Sequence, residues 1–302
     1  IRLSPGGFGT ASNEPMDTSS LPSIFVSHGS PMTALEPGAA GAFMQSLGRR
    51  IDAQFGRPKA ILAISAHTAA RAPVLLAGAR HEAVYDFGGF DPKLYTLRYD
   101  APGAPDLARR VTALMSAAGL PVHVSPEGGL DHGNWTPLRY MYPDADLPIL
   151  PLAFVPSQRP AQQFALGQAL APLADEAVLV LASGSITHNL RRVFEHGLRG
   201  PVDRPEIAES AAFRHWLLER SGARDWEALF DYRARAPHAA DMHPTDEHLL
   251  PWYIAAGAGG RENAPLRLHD SVTYGSLGMD AYAFGAQAAR LLAHEPERAA
   301  LT

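Results

Sequence analysis

The sequence predicts a single α/β domain with a largely buried sheet. Three observations lead there. Apolar runs of strand length alternate with stretches of helical spacing. Three of those runs, around residues 24–26, 61–64 and 178–182, give way to a loop that carries a histidine: His28, His67 and His188. No linker, internal repeat or low-complexity block cuts the chain in two.

The elements follow in order. Residues 24–26 form a strand that breaks sharply at Gly29 and Pro31. Over residues 39–55, Phe43, Met44, Leu47 and Ile51 recur at helical spacing, which predicts a helix crossing back over the sheet. Residues 60–66 are a second core strand and 74–77 a short one. Residues 85–92 are aromatic and turn-rich, and the alternation over 94–99 predicts a strand. Residues 106–118 read as a helix, with Leu107, Val111, Leu114 and Met115 on one face, and 122–124 as a short strand. Residues 128–135 read as a loop containing His132, with a helix starting near Thr136 or Pro137. Residues 147–155 are apolar despite Pro148 and Pro151 and predict a core-facing extended segment. A helix is expected over 160–173, the clearest strand over 177–183, and a helical pattern anchored by Trp216, Leu217 and Leu218 over 205–229. Residues 245–256 predict a shorter helix capped by Thr245, with Glu247 in its first turn. Residues 267–284 read as extended structure around Gly275 and Gly278.

Composition narrows the chemistry. Hydrophobic residues make up 46% and charged residues 19% of the 302, the balance of an ordinary globular chain. A formal charge of -5 without a basic patch argues against nucleic acid as a partner. No apolar run approaches the ~18 residues that span a bilayer, so no membrane partner is expected. The chain has no cysteine, which removes disulfides, thiolate zinc sites and cysteine nucleophiles together. A transition-metal site would have to use histidine and carboxylate, and 13 histidines are present. There is no G-x-S-x-G elbow around Ser30 or Ser185 and no glycine-rich phosphate loop.

One histidine at a strand end is ordinarily a hydrogen-bonded structural residue. His28 and His67, built alike on two strands, bring a shared metal site into play. His188, in Ser183-Gly184-Ser185-Ile186-Thr187-His188, would alone read as part of a polar helix start, and His248 alone as a partly exposed helix residue. His243 and His248 are five apart and do not share the i,i+4 face of a metalloprotease helix. His132, beside Gly133, suits function better than packing. His81, His123, His196, His215, His238, His269 and His294 show no pattern and read as structural or surface residues. Neutral imidazoles suit Fe(II) and Zn(II) alike, so spacing alone fits an oxygen-activating iron site or a zinc hydrolase.

Several motifs then coincide. Ser27-His28-Gly29-Ser30-Pro31, Ser65-Ala66-His67, Asp131-His132-Gly133-Asn134-Trp135, Ser183 through Leu190, and Thr245-Asp246-Glu247-His248 stand in this order. So ordered, the chain resembles the DOPA-dioxygenase-type extradiol ring-cleavage enzymes, of the class III superfamily that includes the protocatechuate 4,5-dioxygenase catalytic subunit. The stretch from Tyr85 through Gly103 is similar to that family's substrate-side loop and following strand, and the likeness runs from about Leu21 to Ala286. It implies a single αβα domain with a mixed central sheet flanked by helices. It implies His28, His67 and His248 as metal ligands, and His188 as the acid/base histidine, close enough to the metal to be counted as a ligand too. It implies His132 as a catalytic residue that hydrogen-bonds substrate or oxygen. The implied reaction is Fe(II)-dependent opening of a catechol-type ring by O2 to a semialdehyde, with Zn(II) as the other candidate metal. Where the family usually has an aromatic residue after the second histidine, this chain has Thr68, which implies more room or a different wall beside the metal.

Two rival readings keep the same residues: a zinc-dependent hydrolase of a small ester or amide, and a non-catalytic metal-binding protein. The expected organisation is a flexible tail over 1–20 with Met16 a candidate start and the residues before it a candidate tag, a catalytic domain over 21–290, and a C-terminal tail over 291–302. No signal-peptide core is seen near the N-terminus, which leaves a cytoplasmic location as the default. The sequence leaves association into a homo-oligomer open.

Overall fold

A computed structural model describes residues 20–194 and 202–292. The tail expected over 1–20 lies, but for Ser20, outside the described residues, as do His196 and His294 and most of the expected C-terminal tail. Eight strands form one sheet: β1 (Ser23–Ser27), β2 (Ala60–Ser65), β3 (Val74–Leu76), β4 (His123–Ser125), β5 (Ile149–Ala153), β6 (Val178–Gly184), β7 (Leu266–His269) and β8 (Ala281–Phe284). Their spatial order is β4-β3-β5-β2-β6-β1-β8-β7. The four central strands, β5, β2, β6 and β1, are parallel. The flanks turn antiparallel where β3 meets β5, β8 meets β1 and β7 meets β8, so the sheet is mixed.

Helices cover both faces. They are α1 (Gly38–Phe55), α2 (Pro105–Ala117), α3 (His132–Met141), α4 (Pro160–Leu170), α5 (Leu190–Phe194), α6 (Ala208–Gly222), the short α7 (Trp226–Phe230), α8 (Tyr232–Arg235) and α9 (Ala239–Met242), and α10 (Leu250–Gly259). Alternate strand residues face two separate apolar cores. Leu62, Ile64 and Val180 pack with α2, α4 and α10, while Ile61, Ala63, Leu179 and Leu181 pack with α1 and α3. Burial on both faces explains why the central strands read as continuous apolar runs rather than alternating ones. Among the described residues no helix is long and apolar enough to cross a membrane.

Three local expectations are corrected. Residues 94–99 are not a strand: Pro92–Thr96 form a 3-10 turn, because the Asp91 side chain caps Lys93 N–H and Pro92 starts the turn. The helix expected from Thr136 begins four residues earlier, at His132, because Asp131 caps it through Asn134 N–H. The helix expected from Thr245 begins at Leu250, with Pro251 in its first turn. Before it, Leu249 and Leu250 N–H both donate to the Asp246 carbonyl, and the Thr245 hydroxyl donates to Glu247 instead of capping. His248 therefore sits in a tight turn ahead of the helix.

Candidate metal centre

The three strands that end near a histidine are neighbours in the parallel core of the sheet. Ser27 of β1 lies opposite Gly184 of β6, and Ser65 of β2 opposite Ser183. Their C-terminal ends thus open onto one edge, where α/β sheets hold ligands. His28, His67 and His188 follow within a few residues. The fourth histidine reaches the edge because Gly184 lacks a side chain: a Cβ there would stand 2.1 Å from the His248 carbonyl. That carbonyl instead accepts Ser185 N–H at 2.9 Å, which pins the His248 turn to the end of β6. His188 is tied in turn by its N–H to the Met242 carbonyl, 2.8 Å away.

Three imidazoles converge. His67 Nε2 lies 3.2 Å from His28 Nε2 and 3.3 Å from His248 Nε2. The partners of the opposite ring nitrogens fix the tautomers. His28 Nδ1 is 2.8 Å from Ser183 Oγ, whose own proton goes to the Gly133 carbonyl, so His28 must be the donor. That carbonyl is open to Ser183 because Pro137, four residues on, has no N–H to give it. His248 Nδ1 donates to Glu247 Oε1 at 3.0 Å. His67 Nδ1 faces Asp86 Oδ2 at 3.5 Å. Each Nε2 then carries a lone pair into the gap. A proton on His67 Nε2 would serve one of the two contacts at most, and would leave a bare Nδ1 lone pair against the Asp86 carboxylate.

Such a donor set fits a divalent cation. Nitrogens bound about 2.1 Å from one ion sit about 3 Å from each other, and ligating imidazoles typically pass their second N–H to a carboxylate or other acceptor. Burial, then the neighbouring imidazoles, hold His28 and His248 well below the ordinary histidine pKa. His67 is lowered as well, by burial and then His132. All three are kept as neutral donors.

His188 and His132 flank this group differently. The His188 ring lies flat against His248, 3.4 Å between centroids and 8° from parallel. Its nitrogens group with Glu247 and His248 rather than with the three converging Nε2 atoms. Burial, chiefly, drives its pKa down to about 3. His132 is the first residue of α3, not a loop residue, and its Nδ1 donates to Asp86 at 2.9 Å while its backbone N–H donates to the same carboxylate at 2.9 Å. Burial opposes the charge on Asp86, but the hydrogen bonds and charge of His132, and then His67, hold its carboxyl below the ordinary range. The other histidines among the described residues do not join the group. His81 accepts Gly129 N–H, His243 is buried on the Ile186 carbonyl, and His269 stacks on Phe43.

Sequence reasoning missed Asp86 as a site residue and gave Glu247 only a place in a helix turn. For Glu247 the available signal was its place next to the candidate ligand His248, while nothing in the sequence around Asp86 gave one. It also missed Asp131, which gathers the Ser65 and Thr68 hydroxyls and both nitrogens of Asn134. Thr68 is held there and is not among the residues lining the cavity over the histidines. That cavity measures about 490 Å³, and Phe87 and Phe90 form one of its apolar sides.

This arrangement, histidine donors at a sheet edge beneath an aromatic-walled cavity, has known counterparts. Residues 22–285 match the family described as the catalytic LigB subunit of aromatic ring-opening dioxygenase. A 4,5-DOPA dioxygenase extradiol of Beta vulgaris is 36% identical over 263 residues, covering 86% of this chain and 95% of the relative. An enzyme of the same description from Escherichia coli K12 is 36% identical, covering 87% and 94%. A crystal structure of an uncharacterized protein from Escherichia coli K12 superposes with a TM-score of 0.71 at 31% identity, covering 88% of this chain and all of that one. The chain belongs to the aromatic ring-opening dioxygenase family. It is an extradiol ring-cleaving dioxygenase, and the hydrolase and non-catalytic readings are not favoured.

Proposed function

We propose that His28, His67 and His248 hold a single divalent cation through Nε2, Fe(II) for turnover, and that the substrate is a catechol-type diol opened beside its hydroxyls by O2 to a semialdehyde. The observation that carries this reading is the set of three unprotonated Nε2 atoms brought to 3.2–3.3 Å contacts. Without a cation their lone pairs repel. When bound, the cation would acidify the diol and bring diol and dioxygen together.

The chain's own residues supply the rest. His188, neutral and beside the donors, takes a diol proton and returns it as the ring opens. His132, oriented by Asp86, presents its free Nε2 to the reacting oxygens. A proton taken up there would leave an imidazolium balanced by Asp86, placed to stabilise developing negative charge. Phe87 packs edge-on to His132, 5.6 Å between centroids, and keeps water from that side. The cavity suits an aromatic ring, and the names of the relatives make a DOPA-like catechol the first substrate to try.

The test is oxygen uptake and semialdehyde absorbance over a catechol panel after anaerobic Fe(II) loading, with Zn(II)-loaded protein alongside. Ring opening by the iron form, and its loss in His188→Ala, is expected. No opening of any catechol by protein that demonstrably holds iron would overturn the proposal.

A further inference from the structure

The cavity has two unlike halves. Its floor is the histidine and carboxylate group. Its outer half is apolar on both sides. Phe87 rises from His132 and meets Phe90 edge-to-face, 5.8 Å between centroids. Opposite in the sequence order, α5 starts two residues after His188, and Leu190, Val193 and Phe194 all line the same cavity. Leu190 and Phe194 are four apart, hence on one face of the helix, and they remain 49% and 37% exposed. Exposed large apolar side chains grouped at the mouth of a cavity mark a surface that an apolar group covers.

The charges point the same way. Apart from the histidines, the ionisable groups lining the cavity are Asp86 and Glu247, and no Lys or Arg among the described residues lines it. Both carboxylates accept imidazole N–H bonds at the floor. A substituent bearing its own carboxylate would meet apolar walls and two like charges, with no Lys or Arg among the described lining residues to pair with it. A bare catechol ring would leave the outer half of about 490 Å³ unfilled.

We propose that the preferred substrates are catechols carrying a neutral, apolar substituent, which lies between Phe87 and Phe90 on one side and Leu190 and Phe194 on the other. The proposal rests on the ring-opening reading above. It departs from the amino-acid side chain that the relatives' names imply.

The experiment compares catechol with 4-methyl-, 4-ethyl-, 4-propyl- and 4-butylcatechol, with 3,4-dihydroxyphenylacetate, and with dopamine, using iron-loaded protein. Binding is read by calorimetry without oxygen, and turnover as kcat/KM. Roughly fourfold tighter binding per methylene is expected over the first members of the series. The carboxylate is expected to bind more weakly than catechol itself, and dopamine no better than ethylcatechol. Leu190→Ala and Phe194→Ala should each flatten the alkyl series. Leu190→Arg should raise the carboxylate relative to the alkylcatechols. A flat alkyl series, or wild-type preference for either charged catechol, overturns the proposal. If catechol is still opened in that case, the ring-opening reading stands alone. If no member is opened, both readings fall.

Discussion

Two polar groups are buried near the same end of β8, where Ser27 N–H, one residue before His28, meets the carbonyl of Asp280, yet they are built on opposite principles. Around Arg214, the guanidinium donates through Nε to Asp280 at 2.7 Å and through Nη1 to Glu206 at 2.9 Å, and also reaches Asp270. Arg267 adds a second cation to Asp280 and Asp270. Every charge there has an opposite partner supplied by the chain, although the Arg214 side chain is only 6% exposed and Asp280 fully buried. At the histidine floor the chain does the reverse. It hydrogen-bonds the outer nitrogens of His28 and His248, sets that of His67 against Asp86 at 3.5 Å, and turns three inner lone pairs on one another. A group that balances itself holds the fold together, while one left unbalanced against itself awaits something from outside.

The contrast is sharpest at His67, whose ring is the most exposed of the three donors. In His67→Ala, iron binding should be lost and ring opening should fall by roughly a thousandfold or more. The metal-free variant should unfold within about 0.5 kcal/mol of metal-free wild type in urea, because a repulsive contact has gone. A large destabilisation without metal would erase the distinction between the two groups. Arg214→Met should behave in the opposite way. It strands buried Asp280 and should cost about 3–5 kcal/mol of unfolding free energy, while folded molecules keep their iron content.

His243 stands between the two cases. Its Nε2 donates to the Ile186 carbonyl, while its buried Nδ1 has no partner. Burial pushes its pKa down to about 4, the hydrogen bond to the Ile186 carbonyl working the other way. The unfolded chain, near the ordinary 6.5, then binds more protons than the folded one between those values. The stability is fully present above pH 6.5 and is lost as pH falls towards 4, on the order of 2–3 kcal/mol in all. Urea midpoints measured across that window should decline less steeply in His243→Gln than in wild type.

The smallest of these effects concerns Asp86, which is shared by His67 and His132. Asp86→Asn keeps the shape and removes the charge. Iron affinity, read by competition with a chelator, should fall about 10–100-fold while the fold persists. An unchanged affinity would mean that His67 is oriented by something other than this carboxylate.

Much of this was legible from the chain. The runs at 61–64 and 178–182 announce buried parallel strands because both faces are covered, and their breaks into His67 and His188 place the functional edge. The start of α3 was hidden because Pro137 imitates a helix N-terminus, whereas the working signal is Asp131. The 3-10 turn at Pro92 was hidden behind an alternation that suited a strand. Asp86 was not legible as a site residue, since its role depends on a loop folding back over α3 from 46 residues away. Thr68 marked a departure from the family pattern, but only the fold shows its hydroxyl turned to Asp131.

The spread of the three donors has a consequence for how the molecule assembles. His28, His67 and His248 come from the first strand, the second strand and a turn close to the end of the domain. Contacts between residues so far apart in sequence form late, after the chain has closed its long loops. No nascent or truncated chain ending before residue 248 can present the full set. If the cation binds as proposed, it can meet its full site only once the turn around His248 has joined the two strand ends, and metal uptake during refolding would then report that long-range step.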